Sequence, residues 1–107
     1  MASDNEHCGD RGRECTITVS NPVLRGMYPD PSWIWDTTRE EIVLVNSSFE
    51  LVPGLPIHTT RDLVTWTRTA NAVDETMSHR LLIDGVEDSG GLYAPTIRRI
   101  GGRYVIV

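Results

Sequence analysis

The sequence predicts an all-β protein built from short antiparallel strands, on three observations. Short runs of aromatic and β-branched residues, such as SWIW at 32–35 and EIVLVNSS at 41–48, are bounded by clusters of turn-forming residues. The final stretch, APTIRRIGGRYVIV at 94–107, places Gly101-Gly102 between two apolar runs, which is a hairpin signal. Its opening also repeats an earlier one. Setting Pro31-Ser32 over Pro95-Thr96 superposes proline, hydroxyl residue, strand, turn and buried strand.

Taken in order, residues 1–20 are charged, glycine-containing and aperiodic, and read as a flexible polar leader. SWIW forms a first strand, DTTRE a turn, and EIVLVNSS a buried second strand. VPGLP at 52–56 is expected to break the chain before IHTT. RDLVTWTRT at 61–69 fits either a fourth strand or a single helical turn, since a short run of this kind does not separate the two periods. From 70 to 91 the chain reads as polar loop, with IDGVEDSGG rich in residues that cap turns or take positive φ. The hairpin at 94–107 follows it.

The repeat offset is one four-stranded unit plus a loop, a little longer than the roughly 40–50 residues of common propeller blades. In a β-propeller the first strand of each blade lines the central channel, so Asp30, just before the first strand, would face the axis. One blade and the start of a second cannot close a ring or cover both sheet faces. The chain is therefore expected to be an incomplete propeller.

The totals narrow the partners. In 107 residues, 39% hydrophobic content suffices for one modest core. A net charge of -5 argues against nucleic acid and against an anionic membrane surface. Arg98, Arg99 and Arg103 cluster, but as decoration of a hairpin. Cys8 and Cys15 fall in the leader with neither CxxC nor zinc-finger spacing, and a disulfide between them would staple only a tail. His7, His58 and His79 lack any metal-ligand spacing and are expected on the surface or satisfied in loops. The first residues carry Asp4, Glu6 and Asp10 and no apolar core of a signal peptide, and no window approaches the roughly 18 apolar residues of a membrane helix. An intracellular site is the default expectation, and a secreted one follows if the N-terminus is misassigned.

One short stretch suggests chemistry. In GMYPDPSWIWD, Asp30 stands between Pro29 and Pro31, and each proline fixes its own φ and biases its predecessor toward extended geometry. A Pro-Asp-Pro run is also an ordinary loop-to-strand junction, where Asp bonds local amides. The tripeptide alone leaves both readings open.

The wider context resolves them. NPVLRGMYPDPSWIWD, SSFELVPGLPIHTTRDLVTW and SGGLYAPTIRRIGGRYVIV resemble, in the same order and at similar spacing, the N-terminal portion of glycoside hydrolase family 43. The likeness is to its β-xylosidase and α-L-arabinofuranosidase branch and covers residues 21–107. The resemblance implies a five-bladed β-propeller, of which this chain holds about the first blade and the start of the second. It implies removal of terminal xylose or arabinose from xylan- or arabinan-type chains, with inversion at the anomeric carbon and no redox cofactor.

By the same resemblance Asp30 is the general base. An inverting glycosidase needs a carboxylate to take a proton from water and an opposed carboxylic acid to protonate the leaving oxygen, about 6.5–9.5 Å apart. Two flanking prolines would keep the base from drifting. The family's acid, and the aspartate that tunes it, lie in later blades. Glu50, Asp84, Glu87 and Asp88 are not supported as substitutes: Glu50 reads as a brace, and the others as solvated loop charges.

Phe49 and Tyr93 fall in motifs that line the family's sugar pocket, and an aromatic face suits the apolar side of a pentose ring. Core packing is the competing reading for both. Many members carry tryptophan where Tyr93 stands, which leaves substrate preference open. Trp33, Trp35 and Trp66 are assigned to blade packing, and Gly90 and Gly91 to close backbone approach. Some propellers of the family hold an axial calcium ion, but the sequence shows no ligand set for one. The expected partner is a xylo- or arabino-oligosaccharide. The 107 residues alone are expected to be inactive, and a non-catalytic carbohydrate-binding remnant or a non-functional gene fragment is the alternative reading.

Overall fold

The computed structural model describes residues 16–81, 87 and 90–107. Cys8, Cys15, His7, Asp84 and Asp88, and most of the leader, lie outside the described residues. Residues 16–20 are exposed and without regular structure.

Four strands form one antiparallel sheet in sequence order: β1 Ser32–Asp36, β2 Glu41–Val45, β3 Gly54–Thr60 and β4 Thr67–Val73. A short helix, α1 Glu75–Arg80, follows, and β5 Ile97–Ile100 pairs with β6 Arg103–Ile106 as a separate hairpin. The all-β architecture and the hairpin at Gly101-Gly102 match expectation, with φ of 55° and 77° at the two glycines.

Three segments differ from the sequence reading. VPGLP does not break the chain ahead of a strand, because β3 already begins at Gly54, and the Leu55 amide bonds the Ser48 hydroxyl at 2.9 Å. The 61–69 segment divides. Asp62 Oδ1 accepts the amides of Val64 and Thr65 at 2.9 and 2.7 Å, which closes a turn, and the strand starts only at Thr67. These amides also hold the Asp62 carboxyl below its ordinary range. The supposed loop from 70 onward is strand to Val73 and then helix, capped by Asp74, whose side chain accepts the Met77 amide at 2.8 Å. Asp74, polar and short, has the character of a loop residue but starts a helix.

The pleat sorts side chains to two faces. Val43, Val45 and Leu55 point to the inner one, and Ile97 of the hairpin is fully buried against them, with Ile34, Ile57 and Ile106 packed around. On the opposite face, register places Trp33 beside Leu44 and Leu44 beside His58. Leu44 and His58 are buried, but Trp33 and Trp35 are 60% and 49% exposed, so they pack no blade among the described residues. Trp66 is half-buried and donates its indole N–H to the Leu63 carbonyl at 3.1 Å. His58 also departs from expectation: it sits within a strand, not on the surface or in a loop.

Hairpin and sheet are locked by a buried carboxylate at the end of β1. Asp36 accepts the amides of Thr38 and Arg39 at 2.8 and 3.1 Å, the Arg99 guanidinium at 2.9 Å and the Tyr104 hydroxyl. Arg99 bridges onward to the Thr38 hydroxyl at 3.0 Å. It does more than decorate the hairpin. The Tyr104 hydroxyl, opposed by burial and assisted by both amides and the Arg99 charge, holds the Asp36 carboxyl below its ordinary range.

A carboxylate depressed on folding contributes stability that is complete above the ordinary aspartate range and is lost as pH falls through its folded value. Acid titration followed by near-UV circular dichroism should show the hairpin undocking only in strong acid, and Asp36→Asn should weaken docking already at neutral pH. Equal thermal midpoints for wild type and Asp36→Asn at neutral pH would contradict the lock.

Candidate active site

The polar run NSS at the end of β2 organises the site. Asn46, Ser47 and Ser48 are all buried, although polar residues are seldom left inside without partners. Each has one. The Asn46 amide nitrogen donates to the carbonyls of Tyr28 and Pro29 at 2.7 and 3.2 Å, and the Ser47 amide donates to Pro29 at 3.1 Å. These bonds draw the turn at 28–30 down onto the strand end.

Asp30 consequently adopts φ of 52° rather than the extended geometry that its following proline favours. An aspartate tolerates this left-handed conformation better than most residues, which answers why an acid rather than a bulkier side chain sits between the prolines. Its side chain is exposed, and Oδ2 accepts the Ser47 hydroxyl at 2.6 Å. Among the described residues Ser47 is the one donor to this carboxylate, and Oδ1 is left open.

The second motif arrives through backbone pairing. Phe49 and Leu92 form an isolated antiparallel bridge, with N···O distances of 2.8 and 2.9 Å. Gly91 makes this approach feasible: at φ of 95°, a Cβ there would lie 2.1 Å from the Phe49 carbonyl oxygen. The reading of Gly91 as a close-approach residue holds on this geometry. The bridge sets the Phe49 and Tyr93 rings 5.9 Å apart at 33°, and Tyr93 remains 61% exposed. The next residue, Ala94, donates its amide to the Ser47 hydroxyl at 2.7 Å.

Ser47 therefore joins the Asp30 turn to the segment that carries Tyr93. Neither Asn46 nor Ser47 stands out from sequence as a site residue, though three successive polar residues closing an apolar strand are a visible signal. Behind the turn, Tyr28 stacks edge-on against His58, with centroids 4.8 Å apart at 83°. Burial, with a smaller contribution from the Arg68 charge, pushes the His58 pKa down.

Other acids do not join the group. Glu50 is half-buried and Glu87 exposed, and neither side chain is bonded to the Asp30 cluster. No set of three potential metal ligands occurs among the described residues. An apolar groove of ≈ 340 Å³ lies between α1, β4 and β6, touching Tyr93 but lined by no carboxylate.

The glycosyl hydrolases family 43 model matches residues 19–107. The chain belongs to glycosyl hydrolase family 43. This family 43 chain is 37% identical over 91 residues to a non-reducing end α-L-arabinofuranosidase of Bacteroides ovatus, covering 84% of this chain and 16% of that protein. It is 34% identical over 91 residues to a β-xylosidase of Bacillus subtilis, covering 85% and 16%. Among solved structures, it is similar to a xylan β-1,4-xylosidase from Bacillus halodurans, with a TM-score of 0.72 and 30% identity, over 83% of this chain and 16% of that one. The family 43 segment thus spans about one-sixth of the length of these relatives.

Gly91→Ala should break the Phe49–Leu92 bridge, because the added carbon meets backbone rather than a yielding side chain. Hydrogen exchange at the Phe49 and Leu92 amides is the measurement, with protection expected to collapse. Unchanged protection would show that the backbones approach less closely than this.

Proposed function

We propose that this segment supplies the general base of an inverting exo-glycosidase that releases terminal xylose or arabinose from xylan- or arabinan-type oligosaccharides. The observation that carries the reading is Asp30: an exposed carboxylate on a fixed turn, joined through the Ser47 hydroxyl to the segment that carries Tyr93, in a chain of family 43. Its open oxygen takes a proton from water as the water oxygen bonds the anomeric carbon. The glycosidic bond breaks at the same centre, and an acid protonates the leaving oxygen. Phe49 and Tyr93 form the wall on which the apolar side of the sugar ring rests.

The general acid and the aspartate that tunes it belong, on this reading, to blades beyond Val107 of a five-bladed ring. Internal symmetry supports a ring. In the superposition of Pro31-Ser32 on Pro95-Thr96, Trp33 takes the place of Ile97, and Ile97 is buried against the neighbouring sheet. The exposed Trp33 and Trp35 accordingly mark the face that a further blade would cover. Residues 1–107 bring no second carboxylate to Asp30 among the described residues, so we expect no turnover from them alone.

The test is hydrolysis of aryl β-xyloside and aryl α-arabinofuranoside by the full-length protein carrying this segment. Asp30→Asn should lower kcat/KM by roughly 10²–10⁴-fold, the usual contribution of a positioned base, without a matching fall in thermal midpoint. Activity within tenfold of wild type would remove Asp30 from the mechanism.

A further inference from the structure

We infer that Ser47 is the positioning residue for the base: its hydroxyl fixes the rotamer of Asp30 and couples it to docking of the segment that carries Tyr93. The inference rests on the proposed role of Asp30 and concerns a residue to which that role assigns no task.

Donor and acceptor chemistry fixes the direction of both bonds. A serine hydroxyl has one proton and two lone pairs, a carboxylate can only accept, and a backbone amide can only donate. The Ala94 amide at 2.7 Å therefore occupies a lone pair, and the hydroxyl proton is committed to Asp30 Oδ2 at 2.6 Å. The short distance is that of a charge-assisted bond. With Oδ2 engaged, Oδ1 is the oxygen left for water. Ser47 is itself 1% exposed, and its amide bonds Pro29, so neither its backbone nor its side chain is free to follow a drifting carboxylate.

Of the six non-glycine residues with left-handed backbone among the described residues, three surround the NSS run. Asp30, Phe49 and Ala94 all hold φ near 50° without being glycine, and they flank or bond the NSS run. Left-handed geometry is unfavourable for a residue such as Phe49 or Ala94 and persists where surrounding contacts over-determine it. The hydroxyl of Ser47 is the contact shared by the Asp30 and Ala94 turns. It exchanges no proton with water or substrate. Its part is to orient, and its loss leaves the carboxylate able to rotate away from the water's approach.

The experiment is steady-state kinetics of Ser47→Ala, Ser47→Thr and Asp30→Asn in the full-length protein, on both aryl glycosides, with thermal midpoints measured in parallel. Ser47→Ala should lower kcat roughly 10- to 100-fold, the scale of a misplaced catalytic group, while KM stays within about twofold. Ser47→Thr, which keeps the hydroxyl, should recover most of kcat. Should the extra methyl prevent folding, Ser47→Cys, a weaker donor, should fall between Ala and wild type. Wild-type kcat in Ser47→Ala, or a loss confined to KM, overturns the inference while leaving an inactive Asp30→Asn to uphold the base. Full activity in Asp30→Asn, or none in the wild type, overturns both.

Discussion

Docking of the β5–β6 hairpin onto the inner face of the first sheet is the constraint on which the site depends. Ile97 is fully buried in that contact, and at one end Asp36 gathers Arg99, Tyr104 and two turn amides onto a single carboxylate. At the other end the Ile97 amide donates to the Ser32 hydroxyl at 3.1 Å, and the Ala94 amide to Ser47. Apolar burial provides the driving force, while the polar contacts at both ends fix register. Tyr93 reaches Phe49 because this hairpin is seated. A segment that failed to dock would leave the Phe49 ring without Tyr93 and the Asp30 turn without its link through Ser47.

The site illustrates how a fixed scaffold positions a functional group on a loop. Asp30 lies on a loop, and its turn is held from below by Asn46 and Ser47 at the end of a buried strand. The buried Ser48 instead accepts the Leu55 amide and ties the same strand end to β3. His58 and Tyr28 add an apolar support behind the turn, and burial keeps the imidazole disposed to stay neutral. Asp30, Phe49 and Ala94, each with left-handed backbone, lie where three segments meet around Ser47.

Much of this is legible in the residues. The aromatic run at 32–35, the Gly101-Gly102 turn and the repeated Pro-hydroxyl opening indicate the strands and hairpin, and motif order indicates the family. Helix α1 is hidden because its cap and polar surface resemble loop composition, and β3 because Gly54 and Pro56 resemble breakers until their neighbours are known. The extended geometry expected of Asp30 is overridden by tertiary hydrogen bonds that join residues 17 positions apart. Ser47 and Arg99 are hidden for a related reason. Each acts on a partner distant in sequence, Ser47 on Asp30 and Arg99 on Asp36, and residue type alone does not name such a partner.

A general base at Asp30 would activate water on the face of the sugar opposite the leaving group. Proton NMR of the first product released from an aryl β-xyloside by the full-length protein reads this out, since the α and β anomers give distinct signals before mutarotation. α-Xylose is expected at the earliest time points. Initial release of β-xylose would mean net retention, through a carboxylate acting as nucleophile, and would contradict a general base at this position.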